Sequence, residues 1–185
     1  MPRYRNPLDL PPLPEYLRAG LDVVFIGFNP GETAARRGHY YAYPGNRFWW
    51  LLHQSGLTPR LLQPDEDKLM PTLGYGLIDL VRRPSRTSGD LERWEFAAGR
   101  KALLATLARH RPRFACYTGK GIYAALIGRP STAVSYGLQA TEACPGVKDF
   151  VAASTSGRSG MPIVEKLRIF RELARLLGAD KQRGS

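Results

Sequence analysis

Cysteine is nearly absent: the 185 residues hold two, Cys116 and Cys144, 28 positions apart. With no C-x-x-C pair, the chain builds neither a four-cysteine zinc site nor a four-cysteine iron–sulfur cluster. Cys116 falls in a strand-like run, where cysteine is usually inert packing. Cys144 precedes Pro145-Gly146 and has no activating neighbour in sequence. Histidine is equally scarce, and His39, His53 and His110 form no H-x-x-x-H or H-x-E. A histidine zinc site, including that of the zinc deaminases, therefore has no support. No stretch approaches the roughly 18 uncharged apolar residues of a spanning helix, and mean hydropathy is −0.30. Residues 1–14 carry proline and arginine instead of the apolar run of a signal peptide. The expectation is a soluble cytoplasmic protein with no membrane partner.

Acidic residues are also few, 16 against 27 lysines and arginines, for a net charge of +11. Such a balance attracts polyanions through counterion release, and nucleic acid is the commonest of these. The alternative is a solubility charge spread over the surface. The length suits one domain, and 43% hydrophobic residues suffice for a core.

Apolar patterning predicts an α/β chain. Residues 22–28 (DVVFIGF) are β-branched and nearly all apolar, as in a strand buried on both faces. Asn29-Pro30-Gly31 breaks the run, and a polar, aromatic loop is expected through Pro44. Residues 46–54 read as a helix, 76–81 as a strand, 90–109 as a helix, and 114–118 as a strand before a short helix opened by Gly119-Lys120-Gly121. A later strand covers 150–154. Ile163, Leu167, Phe170, Ala174 and Leu177 then form the apolar stripe of a closing helix. Strands alternating with helices predict a three-layer sandwich, a central and mainly parallel sheet flanked by helices. The expected organisation is an extended lead-in over 1–20, one domain over 21–178, and a flexible polar tail over 179–185. Sites in such sheets lie beyond the carboxyl ends of strands.

Three strand-end loops should therefore converge. The first carries Phe28, Asn29 and Gly31. An amide directly off a buried strand is costly unless it is bonded or used, and an Asx-turn is its bland explanation. The same loop holds Tyr40, Tyr41 and Tyr43, which offer either a flat face to a stacked base or a cover for the sheet edge. The second loop begins at Asp79, the lone carboxylate of 74–81. Desolvation would raise its pKa unless Arg82 or Arg83 pairs with it. The third is Ser154-Thr155-Ser156-Gly157-Arg158-Ser159-Gly160. Its small residues let backbone approach a phosphate, and it matches neither a Walker loop nor a nucleophile elbow.

Gly27-Phe28-Asn29-Pro30-Gly31 followed by Pro44-Gly45-Asn46-Arg47-Phe48-Trp49 resembles the first motif region of the mismatch-specific uracil-DNA and thymine-DNA glycosylases. The pair of motifs at this distance is specific, and the likeness runs over roughly 21–177. It implies a uracil-DNA glycosylase fold, a monomer without metal or cofactor, and double-stranded DNA containing uracil or a mismatch as partner. Localisation would be cytoplasmic, with the nucleoid if the source is bacterial. The resemblance also implies roles. Asn29 positions the attacking water, Tyr41 stacks on the flipped uracil, and Gly31 keeps backbone close to the base, with Phe28 and Ser154 beside it. Ser156, Gly157 and Ser159 grip phosphates, and Arg158 is the wedge that enters the duplex. Ser154-Thr155 departs from the family's usual Asn-Pro or Met-Pro opening. Asp79 stands where lysine or asparagine is usual.

Cleaving an N-glycosidic bond builds positive charge on the sugar and negative charge on the base. A neutral amide such as Asn29 orients water but cannot take its proton, whereas a carboxylate does both and steadies an oxocarbenium-like sugar. Asp79 is accordingly expected to share catalysis with Asn29. Arg82 and Arg83 with Arg86, and Lys120, are expected on DNA phosphates. The function expected is excision of uracil, preferably from G·U pairs, leaving an abasic site. The alternative is a non-catalytic DNA-binding module on the same fold.

Overall fold

The computed structural model describes residues 8–183. Strand β1 (Val23–Gly27) is buried at all five positions, as its unbroken apolar composition demands of a strand covered on both faces. It pairs in parallel with β2 (Tyr75–Asp79) on one side and β3 (Phe114–Tyr117) on the other. Strand β5 (Lys148–Val151) continues the parallel sheet beside β3, and the short β4 (Gly137–Leu138) closes it antiparallel. The order is β2-β1-β3-β5-β4. The expected three-layer α/β sandwich is the observed architecture.

Alternation along β1 divides the core. Val23 and Phe25 face one apolar layer with α2 (Phe48–Gln54) and α5 (Ile163–Arg183); Val24 and Ile26 face another with α3 (Arg93–His110) and α4 (Lys120–Ile127). Phe25, Phe48, Phe150 and Phe170 are fully enclosed in the first layer. Each such side chain contributes roughly 1.5–3 kcal/mol by leaving water. Phe25 meets Phe48 edge-on at 5.3 Å, a favoured aromatic geometry.

Several features go beyond the sequence expectations, the two-residue β4 among them. A short helix, α1 (Glu32–Arg37), interrupts the loop expected through Pro44. Ala34 and Ala35 are buried, an Arg36–Glu32 pair spans one turn at 2.8 Å, and Gly38 closes the helix at φ 74°. Six residues are too few to show a helical period. A 3₁₀ segment, Pro64–Leu73, lies before β2 and is opened by reciprocal Gln63 and Glu66 bonds. The described part of the lead-in packs on the domain. Tyr16 exchanges backbone hydrogen bonds with Leu77 at 3.1 and 3.0 Å, and Leu13 is buried. This covers the β2 edge, which would otherwise expose unpaired backbone. Helix α5 runs on to Arg183, through most of the expected tail. Residues 1–7 of the lead-in and 184–185 of the tail lie outside the described residues.

Candidate active site

β2 and β3 leave β1 on opposite sides, so the chain reverses direction of travel at β1, where α/β sheets place ligands. A cleft of about 730 Å³ opens there, within the range of small-molecule sites. Its wall includes Gly27, Asn29, Tyr41, Asp79, Thr118 and Ser154. The three loops expected to converge do so, and the end of β3 adds Thr118.

Asp79 ends β2 opposite Gly27 in the parallel register. A methyl group on Gly27 would collide with the Asp79 carboxylate. Glycine at 27 therefore gives that carboxylate its place. The Asp79 side chain is only 8% exposed. Neither arginine weighed as its partner takes that part. Arg82 donates to Glu15 at 2.9 Å and to the Leu13 carbonyl at 3.3 Å. Arg83 makes a two-pronged pair with Glu95 at 2.6 and 2.8 Å and donates to the Asp90 carbonyl at 2.7 Å. Among the described residues, no hydrogen bond or ion pair reaches the Asp79 carboxylate. Burial pushes its pKa up to about 7, with the Arg82 charge opposing the rise. A buried carboxylate without a partner is costly, and such groups concentrate at functional sites.

Asn29 is tied from its nitrogen side. Its Nδ2 donates to the Arg83 carbonyl at 3.0 Å, to Ser85 Oγ at 2.7 Å and to the Pro30 carbonyl at 3.2 Å. Carbonyl oxygens only accept, so these contacts fix which end of the amide is nitrogen. Ser85 Oγ in turn donates to the Thr87 carbonyl at 2.6 Å. Asn29 Oδ1 is left as an acceptor on the cleft wall, able to hold a water but not to deprotonate it. This is more than an Asx-turn, because the amide joins the loop after β1 to the loop after β2.

Tyr41 adopts φ 54°, an uncommon conformation for a bulky residue and one worth strain. Its ring lies on Phe48 at 3.8 Å between centroids and 18° between planes. Its hydroxyl donates to Thr118 Oγ1 at 3.3 Å, and Thr118 donates to the Ile26 carbonyl at 3.0 Å. One face of the ring is thus spent on the core while Tyr41 still lines the cleft. Desolvation holds the Tyr41 hydroxyl well above its ordinary pKa, so it stays neutral. Phe28 also lines the cleft, packed edge-on to Phe96 at 5.5 Å. Gly31 lines it with nothing within 4 Å of where a side chain would begin.

The third loop is held from below. Lys166, 3% exposed on α5, donates from Nζ to the Ser156 carbonyl at 3.0 Å. Burial pulls the Lys166 pKa down, and nearby Arg47 pulls the same way. Ser156 Oγ accepts the Arg158 N–H at 3.2 Å, and the Ser156 carbonyl accepts that of Ser159 at 3.2 Å. Ser156 and Arg158 line the cleft, Gly157 is pressed against Gly45, and Ser159 stands further round the turn. Lys120 sits at the cleft where α4 begins, its Nζ 4.4 Å above the Tyr136 ring.

Two of the residues expected on phosphates lie outside the cleft wall. The Arg83 side chain is 11% exposed and locked to Glu95, whose own pKa it lowers. It ties the β2 loop to α3. Arg82 is exposed but lies on the Glu15 side, outside the cleft wall. Both sit in a basic sequence run, and sequence alone does not show which acid each arginine finds.

Residues 14–177 match the profile of the Uracil DNA glycosylase superfamily. The chain belongs to that superfamily. A solution NMR structure from Methanosarcina acetivorans, itself provisionally assigned as a uracil DNA glycosylase, shares the fold. It superposes with a TM-score of 0.55 at 21% identity, over 89% of this chain and 98% of that one. The superfamily match begins at residue 14, inside the lead-in that covers β2. Sequence reasoning gave no role to Thr118, which lines the cleft, or to Lys166, which supports the third loop from beneath. Thr118 was reachable from the strand-end rule, and Lys166 from a lysine standing at an apolar position of the α5 stripe.

Proposed function

We propose that this protein excises uracil from double-stranded DNA, preferably from G·U mismatches, and leaves an abasic site. One observation carries the mechanism: Asp79 is buried at the cleft with its carboxylate unpartnered, in a place kept open by Gly27. The flipped base enters between Tyr41 and the loop of Asn29. Extrusion costs a few kcal/mol, least at a mismatch, which supports the G·U preference. Asn29 Oδ1 holds the attacking water. Asp79, ionised above about pH 7, takes a proton from that water and opposes the positive charge growing on the sugar. Gly31, Phe28 and Ser154 shape the base pocket. Ser156, Gly157, Ser159 and Lys120 hold phosphates, and Arg158 fills the space the nucleotide leaves. The basic balance of the chain supports DNA as partner. Action as a monomer, in the cytoplasm, completes the reading.

The test is alkaline cleavage of labelled duplexes carrying one G·U pair, after incubation with wild type, Asn29→Ala and Asp79→Ala. Strand breaks with wild type, their abolition in Asp79→Ala and partial retention in Asn29→Ala are expected. Full activity in Asp79→Ala with loss in Asn29→Ala would sink the role of Asp79. Salt-sensitive binding without any strand break would favour a non-catalytic DNA-binding module.

A further inference from the structure

We propose that Tyr43 and Arg158 form a two-residue wedge, with Tyr43 as the positioning residue that holds the arginine in the opened duplex. The inference rests on the glycosylase reading above. The two side chains come from loops more than a hundred residues apart in sequence, yet the Arg158 guanidinium lies 5.8 Å from the centre of the Tyr43 ring. That is within the reach of a cation–π contact. Both residues stand on the rim of the cleft, and Tyr43 is 45% exposed.

The loops that carry them pack against each other. A side chain on Gly157 would start 2.5 Å from the Gly45 carbonyl, and one on Gly45 would start 2.8 Å from the Tyr43 ring. Glycine at 157 lets the two loops touch, and glycine at 45 leaves room for the Tyr43 ring beside it. The Arg47 N–H donates to the Thr155 carbonyl at 2.8 Å, and Lys166 holds the Ser156 carbonyl from beneath. An aromatic ring on a basic rim, half in water, offers a stacking face to a base that has lost its neighbour. The guanidinium, with the ring behind it, is presented forward instead of sweeping freely through solvent. Arg158 alone would lose side-chain entropy on entering the stack; the ring removes part of that loss beforehand.

Single-turnover excision and 2-aminopurine fluorescence decide the matter, the fluorophore standing beside the uracil. Two substrates are compared, a G·U duplex and the same uracil inside a three-nucleotide bubble that is already open. The variants are Tyr43→Ala, Tyr43→Leu and Tyr43→Phe, with melting temperature as the check on folding. Tyr43→Leu keeps Gly45 covered but has no π face. If the wedge is composite, Ala and Leu lower duplex excision by at least about fivefold more than bubble excision. They also reduce the fluorescence rise on binding duplex, while Phe restores both. Equal losses on duplex and bubble, no loss on either, or a Leu variant that behaves as wild type would overturn the inference. If wild type leaves no abasic site in either substrate, the excision reading fails, and the fluorescence arm still decides whether Tyr43 helps open the duplex.

Discussion

Replacing Asp79 with asparagine separates catalysis from stability. Burial pushes the Asp79 carboxyl up to about 7 in the folded protein, from an ordinary value of 3.8 that the unfolded chain takes. Between those values the folded chain binds a proton that the unfolded chain releases. Stability is therefore lost as pH rises through this window, and the loss is complete above about pH 7. Three units at 1.36 kcal/mol each amount to roughly 4 kcal/mol of destabilisation carried by the ionised group. Asparagine has the shape of the protonated acid and no charge to desolvate. Asp79→Asn should therefore gain about 4 kcal/mol relative to wild type between about pH 4 and about pH 8. For a domain of this size that is roughly 8–16 °C in melting temperature. Thermal melts of both proteins at the two pH values measure it. The change between pH values isolates ionisation, since Asp149, another buried acid with a raised pKa, is present in both proteins. Excision by the variant should fall by about two to four orders of magnitude. A stability difference between the two proteins that does not grow with pH would mean that Asp79 is a satisfied structural acid. The mechanism would then fail with it.

Wild-type excision should rise with pH through about 7, as Asp79 ionises, and the pH–rate profile of single-turnover reactions shows whether that limb exists. Gly27→Ala should abolish excision and cost about 1–3 kcal/mol, because its methyl group claims the carboxylate's place; denaturation and alkaline cleavage check the two halves. Lys120→Ala and Arg158→Ala should each lower the salt slope of duplex binding by about one, whereas Arg83→Ala should leave that slope alone. Arg83→Ala should instead destabilise the fold by about 3–5 kcal/mol, since it strands the buried Glu95, which urea denaturation measures.

What could be read in advance divides along the range of the interactions. The strands were legible because β1 and β3 are apolar without interruption, and burial on both faces leaves no other pattern. The loops after Gly27 and Asp79 were legible because a parallel sheet gathers strand ends on one side. Helix α1 was hidden by its six residues, and β4 by its two. The arginines were hidden for a different reason. Arg82 and Arg83 are adjacent in a basic run, but one reaches Glu15 and the other Glu95. No periodicity encodes which acid of the chain a long, flexible cation will meet.

The Arg82 pairing bears on the chemistry itself. Arg82 is the cation whose charge lowers the Asp79 pKa, and Glu15 holds its guanidinium at 2.9 Å. Glu15 lies on the lead-in, one residue before Tyr16 joins the edge of β2. By occupying Arg82, the lead-in withholds from Asp79 the partner that its sequence neighbourhood offers. Leu13, buried beside it, lines the same cleft. A segment that reads in sequence as an extended approach to the domain thus helps set the charge state of the residue on which the mechanism turns. The superfamily match starting at residue 14 includes it. Glu15→Gln should accordingly free Arg82 to turn toward Asp79 and move the alkaline-rising limb of the rate profile to lower pH. An unmoved limb would show that the sheet and Gly27 alone keep Asp79 unpartnered.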